Sequence, residues 1–322
     1  MGITHPDGSP APDGCPSTSR FARLSADVRV NKLRELLEVV WDERALPAGM
    51  EYSSNEIIVS LRGGSVGYGT APLELALSKS AEIRSLLYRT AEWVRREPLR
   101  RGGLPKKEIL SAVQARATQA VAGSYRFSIR LVEPAQMELF DKSEIEVENV
   151  ADALFDVVRK VSDSSPNAAQ ELRTFVPDDG YRQALIKLVR NIVPSDKSLG
   201  EVELTRVHKS GTNDDPERES LLLHSGVRET ISHVLRQELD ANVNEQSDET
   251  EVRGTLRALH LDQKWLAVVK DDGAEQRCVT HQDVLDDVVG PMVNRRVVVR
   301  GRWTGVARRK FLLSDIDLDA RS

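Results

Sequence analysis

The order of elements after residue 250 constrains the fold more than any other feature of the chain. Three short segments of alternating polarity, Val252 to Leu261, Trp265 to Lys270 and Gln276 to Thr280, precede two more, Arg296 to Trp303 and Lys310 to Leu318. A period of two marks half-buried strands, and Asp271-Asp272-Gly273 supplies a tight turn between the second and third. Between the third and fourth, Asp283 to Val289 has an acidic start and ends at Gly290-Pro291, which predicts a short helix. Five strands this short leave exposed edges unless they close on one another.

Strand, strand, strand, helix, strand, strand is the order of the OB-fold. The segment resembles that family in Val-Arg-Gly-Thr-Leu at 252–256, in the Asp271-Asp272-Gly273 hairpin and in Val297-Val298-Val299-Arg300-Gly301. The resemblance covers residues 251–319; the first 250 residues resemble no family. It implies a five-stranded barrel that binds single-stranded nucleic acid, oligosaccharide or another protein and rarely catalyses. The same pattern also suits another small barrel.

Residues 1–24, dominated by Pro, Gly, Ser and Asp, predict a disordered leader. Leu33, Leu36, Leu37, Val40 and Trp41 predict an amphipathic helix over 26–44. Ile57, Val59 and Leu61, then Leu73, Leu75 and Leu77, alternate as two strands about a glycine-rich loop. Helices are expected over 83–94, from about Lys106, and over 147–161, 167–175 and 181–192, with strands at 125–133 and 201–208. Residues 211–219 read as a polar loop, and Leu221 to Leu223 leads into a last helix. The polar stretch 241–250 predicts a linker. The expected organisation is α+β: a helix-rich mixed domain over 25–240, then an OB-like barrel over 251–322.

Composition narrows the function classes. The formal net charge is −5, so no global attraction to phosphate polymers is built in. From residue 251 onward 13 basic residues face 11 acidic ones, giving +2 there and −7 elsewhere, so nucleic-acid binding must be local. Cys15 and Cys278 are the only cysteines, which excludes a disulfide scaffold and suggests a reducing compartment. No apolar run of membrane-spanning length and no secretory signal stands out, so the cytoplasm is expected.

The candidate nucleic-acid residues of the barrel are Arg253, Arg257, Trp265, Arg277, Arg300, Arg302, Arg308, Arg309 and Lys310. Arg253 and Arg257 share one face of the first strand and Arg300 and Arg302 one face of the fourth, where they could track phosphates. Trp303 is in phase with Val297 and Val299 and so points to the core, leaving Trp265 and Phe311 as rings for base stacking. A second basic patch comprises Arg95, Arg96, Arg100, Arg101, Lys106 and Lys107, a pattern shared by any solvated loop between helices. The six histidines show no ligand spacing, so no metal or cofactor is expected. Gly63, Gly64, Gly67 and Gly69 lack the Gly-Lys-Ser/Thr of a phosphate loop and suit a hairpin. Asp178 and Asp179 are placed to cap a helix.

These features predict a non-enzymatic accessory protein whose barrel binds nucleic acid, single-stranded above all. Two alternatives stay open: a protein-interaction adaptor or neutralising partner of another enzyme, and an enzyme with a dispersed site.

Overall fold

The computed structural model describes residues 56–67, 69–117, 124–132, 147–165, 167–209, 216–240, 249–280, 286–304 and 310–319. The expected leader, the helix over 26–44, most of the linker, and Arg308 and Arg309 lie outside the described residues.

Five antiparallel strands form the first sheet: β1 (Glu56–Arg62), β2 (Val113–Ala117), β3 (Tyr125–Leu131), β4 (Glu201–Lys209) and β5 (Pro216–His224), in the order β2-β3-β1-β4-β5. Ile57, Val59 and Leu61 alternate along β1 and are buried, as are Phe127 and Ile129 opposite them on β3 and Val202 and Leu204 on β4. Against this apolar side lie α1 (Leu73–Val94), α2 (Lys107–Ala112), α3 (Val147–Ser162), α4 (Ala168–Phe175), α5 (Asp179–Ile192) and α6 (Ser225–Asp240). Each longer helix contributes one apolar stripe, such as Leu154, Val157, Val158 and Val161 of α3, because that spacing returns to the same side of a 3.6-residue turn. Asp178 caps α5, its carboxylate accepting from the Tyr181 N–H at 2.8 Å.

Three expectations are overturned in this part. Leu73, Leu75 and Leu77 belong to the first turns of α1 rather than to a strand. Spacings of two and four are both present there, and Pro72 followed by Leu-Glu-Leu-Ala favours helix over extended chain. The glycine stretch therefore joins a strand to a helix instead of closing a hairpin. Residues 216–219, expected in a polar loop, and Leu221 to Leu223, expected to lead into a helix, instead form the edge strand β5, where Pro216 is tolerated at the start. β2, which lacks a β-branched run, is recruited by pairing with β3.

The remaining strands are β6 (Thr250–His260), β7 (Trp265–Val269), β8 (Glu275–Val279), β9 (Arg296–Thr304) and β10 (Lys310–Leu318), with the short α7 (Asp286–Val289) between β8 and β9. They close a barrel in the order β10-β8-β7-β6-β9, with β9 pairing back to β10. The first strand thus pairs with the second and fourth, and the third with the fifth in parallel, through Phe311 opposite Cys278. This is the OB-like order expected of the segment. Leu256, Leu266, Val268, Cys278, Val297, Val299 and Phe311 fill its interior.

Residues 52–322 form one compact unit, and the barrel meets the helices through buried ion pairs. Arg190 of α5, fully buried, donates from Nη1 and Nη2 to the two carboxylate oxygens of Asp315 at 2.8 and 2.9 Å, and from Nη2 to the Ile316 carbonyl at 2.6 Å. Arg228 of α6 binds Asp317 and the Arg190 carbonyl. Arg89 of α1, also fully buried, forks onto Asp287 at 2.5 and 2.9 Å. Two parallel N–H···O bonds fix orientation as well as distance, so these forks set the barrel's seat on the helices. Burial raises the Asp315 carboxyl, but the charge and hydrogen bonds of Arg190 outweigh it and hold that group below the usual range.

Candidate nucleic-acid interface

Two of the predicted barrel arginines are charge-compensated. Arg253 pairs with Glu251 at 3.0 Å and Asp319 at 3.2 Å, and Arg300 with Glu251 at 3.0 Å and Asp315 at 3.5 Å. Glu251 stands directly opposite Arg300 in the β6–β9 register, so the alternation that puts the arginines on one face brings carboxylates to it too. Hydrogen bonds from Arg300 and then Arg253 hold the Glu251 carboxyl below its ordinary range. Arg257 donates to the Asn294 side chain at 3.0 Å, and Arg302 is half-buried and engaged as well. On the face formed by β6 and β9, Arg253 and Arg300 are thus both committed to carboxylates.

A different arrangement occupies the end of the barrel where β6 turns into β7. His260 and Trp265 are directly opposed across the turn, their rings stacked with centroids 5.6 Å apart. Arg277, on β8 at the other side of β7, lays its guanidinium 4.0 Å from the centre of the same indole. Trp265 donates from Nε1 to Gln263 at 2.9 Å, and the Gln263 N–H donates to His260 Nδ1 at 3.1 Å. The three side chains form a column with Trp265 in the middle and the exposed Arg277 as an outer plate. A guanidinium held over a ring can stack on a second flat group. The other expected platform, Phe311, is instead fully buried in the core, and Trp303 packs edge-on against it at 5.1 Å. Lys310, exposed, opens β10 at the same end, since its neighbour Phe311 pairs with Cys278.

The second basic patch lies beside this turn. Between α1 and α2 the chain passes Gly102 against Leu261, the residue after His260, and the Asp286 N–H of α7 donates to the Arg101 carbonyl at 3.0 Å. A methyl group on Gly102 would meet Leu261 Cδ1 at 2.7 Å, so the two segments are closely seated and a larger residue would require the Leu261 side chain to shift. Within the patch Arg100 is held by Glu92 at 2.8 Å, Arg95 by Glu97 at 3.6 Å and Lys106 by Glu97 at 2.6 Å. Arg101 is exposed but engaged as well, and Arg96 and Lys107 are exposed. Two stretches that sequence treats as unrelated are therefore joined into one surface. The only advance signal was the glycine pair at 102 and 103, and it does not name a partner.

The other candidates resolve as follows. The N–H and hydroxyl of Ser65, in the glycine-rich stretch, both donate to the Ser198 carbonyl at 2.8 Å, and Gly67 and Thr70 bond each other, so these groups are committed to backbone. A cleft of about 320 Å³ between the α3–α4 connection and α6 is lined by Asp163, Ser165, Glu229, Thr230 and His233. No hydrogen bond among the described residues joins His233 to Ser165 or either carboxylate. No described cluster of His, Cys, Asp and Glu has the geometry of a metal site, and no described helix is long and apolar enough to cross a membrane. Cys278 is a buried free thiol.

Comparison with protein-family models, with curated proteins and with solved structures finds no match for this chain.

Proposed function

We propose that this chain is a non-catalytic binding protein of the cytoplasm that holds single-stranded nucleic acid at the β6–β7 end of its barrel. Arg277, on its Trp265 and His260 support, would stack a base, and Arg96, Lys107 and Lys310 would meet phosphates. The observation that carries this reading is the seating of the Arg101–Gly102 segment on Leu261, which brings the second cationic patch beside the aromatic column. Arg253 and Arg300 have no part in it, because both are already paired with carboxylates.

Fluorescence anisotropy of the full-length chain with a labelled single strand tests this. Three phosphate contacts on a single strand give a log-log salt slope of about −2, hence roughly a 20-fold loss of affinity between about 50 and 200 mM salt. Arg277→Ala with Trp265→Leu should weaken binding at all salt concentrations. Arg96→Glu with Lys107→Glu should weaken it and flatten the slope. Arg253→Glu should change little. No binding at low salt, or loss only in Arg253→Glu, refutes the proposal.

A second reading, a protein adaptor, is favoured by Leu73 and Leu77, which are 66% and 60% exposed on one side of the first turns of α1. Large apolar side chains grouped at that spacing suit a protein partner. Loss of a co-purifying protein in Leu73→Ser/Leu77→Ser, with nucleic-acid binding absent, would select it.

A further inference from the structure

The first sheet has a second face. With Ile57, Val59 and Leu61 turned to the helices, alternation places Ile58, Ser60 and Arg62 of β1 on the opposite side, and the register adds Arg126, Ser128 and Arg130 of β3. Along β3 the sequence Arg-Phe-Ser-Ile-Arg therefore sets a cation about 7 Å to either side of a hydroxyl. Arg116 of β2 stands opposite Ser128 in the register.

The polar groups of this stretch are incompletely used. Ser128 is 1% exposed, and its Oγ has no hydrogen-bond partner; the same holds for Arg130 Nε. Arg126 donates from Nε to Ser60 Oγ at 3.1 Å and has no carboxylate partner among the described residues. The acidic groups on this face lie to the β1 and β4 side. Glu56 is 3.6 Å from Arg130 Nη2, Glu203 is taken by Arg62 at 2.8 Å, and Glu201 is opposite Arg62. Among the described residues, positive charge is thus left over along β3, around a buried hydroxyl without a hydrogen-bond partner. Buried polar groups are nearly always paired, so an unpaired one beside uncompensated guanidinium marks a place for an acceptor.

We propose that Arg126, Ser128 and Arg130 form a binding site for a phosphoryl group. A tetrahedral oxyanion accepts from a hydroxyl and from guanidinium N–H groups at once, which matches the donors left over. The site is on the sheet and stands whether or not the barrel binds nucleic acid.

Calorimetric titration of the full-length chain with inorganic phosphate tests it. Wild type should bind phosphate, Arg126→Gln should weaken binding at least tenfold, and Ser128→Ala should weaken it several-fold. Arg253→Gln serves as a control that should leave it unchanged. Circular dichroism of each variant confirms the fold, and Ser128→Ala removes only an unpaired hydroxyl, so it keeps the test open if Arg126→Gln unfolds. Absence of phosphate binding, or equal binding in wild type and Ser128→Ala, overturns the site. A short single strand added to the phosphate-bound protein separates the sources: displacement assigns the site to a nucleic-acid backbone, and persistence assigns it to a small phosphorylated molecule.

Discussion

Replacing Arg190 with methionine should expose how strongly the barrel depends on its seat. The substitution removes both donors to Asp315 and the donor to the Ile316 carbonyl. Asp315 keeps Arg300 at 3.5 Å, and Asp317 keeps Arg228, so neither carboxylate is wholly abandoned. Breaking a buried pair from one side costs about 3 to 5 kcal/mol, and the remaining arginines place this case near the lower figure. At roughly 2 to 4 °C per kcal/mol for a chain of this size, Tm should fall by about 6 to 12 °C in a thermal melt followed by circular dichroism. Changing Asp315 to leucine as well should recover part of the loss, because the charge left without its partner is then gone.

The pH dependence gives an independent check. In the parent, Asp315 is held below its unfolded value, so its contribution is present above that value and is lost as pH falls through the lower, folded one. Without Arg190, burial dominates and the folded carboxyl takes up its proton first, so acid favours the folded variant. The Tm gap between parent and variant should therefore narrow from pH 7 towards pH 4. A loss of under about 2 °C at pH 7, or a gap that widens in acid, would refute the reasoning.

Two further outcomes follow from the barrel. A Cβ at Gly254 would fall inside the Val269 carbonyl, whereas one at Gly273 meets nothing within 4 Å and suffers only from its φ of +80°. Gly254→Ala should thus cost about 1 to 3 kcal/mol or more in urea unfolding, and Gly273→Ala about 1; the reverse order would contradict the strand approach described. Burial pushes the Cys278 thiol up to about 12, so at pH 8 its peptide should resist iodoacetamide until the barrel opens in denaturant. Rapid labelling of that peptide in the native protein would show that the β8–β10 side is not closed.

How much of this was legible beforehand depends on the range of the interaction involved. The five barrel strands, the helices α3 to α5 and the Asp178 cap rest on periodicity and capping, which act between residues a few positions apart, and a linear reading recovers them. Leu73 to Leu77 carries spacings that suit either strand or helix, and β2 and β5 gain their conformation from the neighbours they pair with, so local pattern could not decide them. The candidate surface shows the same division. Arg253 and Arg300 were correctly placed in phase, yet parity alone does not reveal that Glu251, Asp315 and Asp319 share their surroundings. Arg190 and Asp315 are 125 positions apart, and nothing in either neighbourhood points to the other. Residue order by itself determined which segments extend and which coil. Tertiary packing alone decided which charges cancel and which are left to act, because an ion pair depends on proximity in space and a chain of 322 residues fixes that only when it folds.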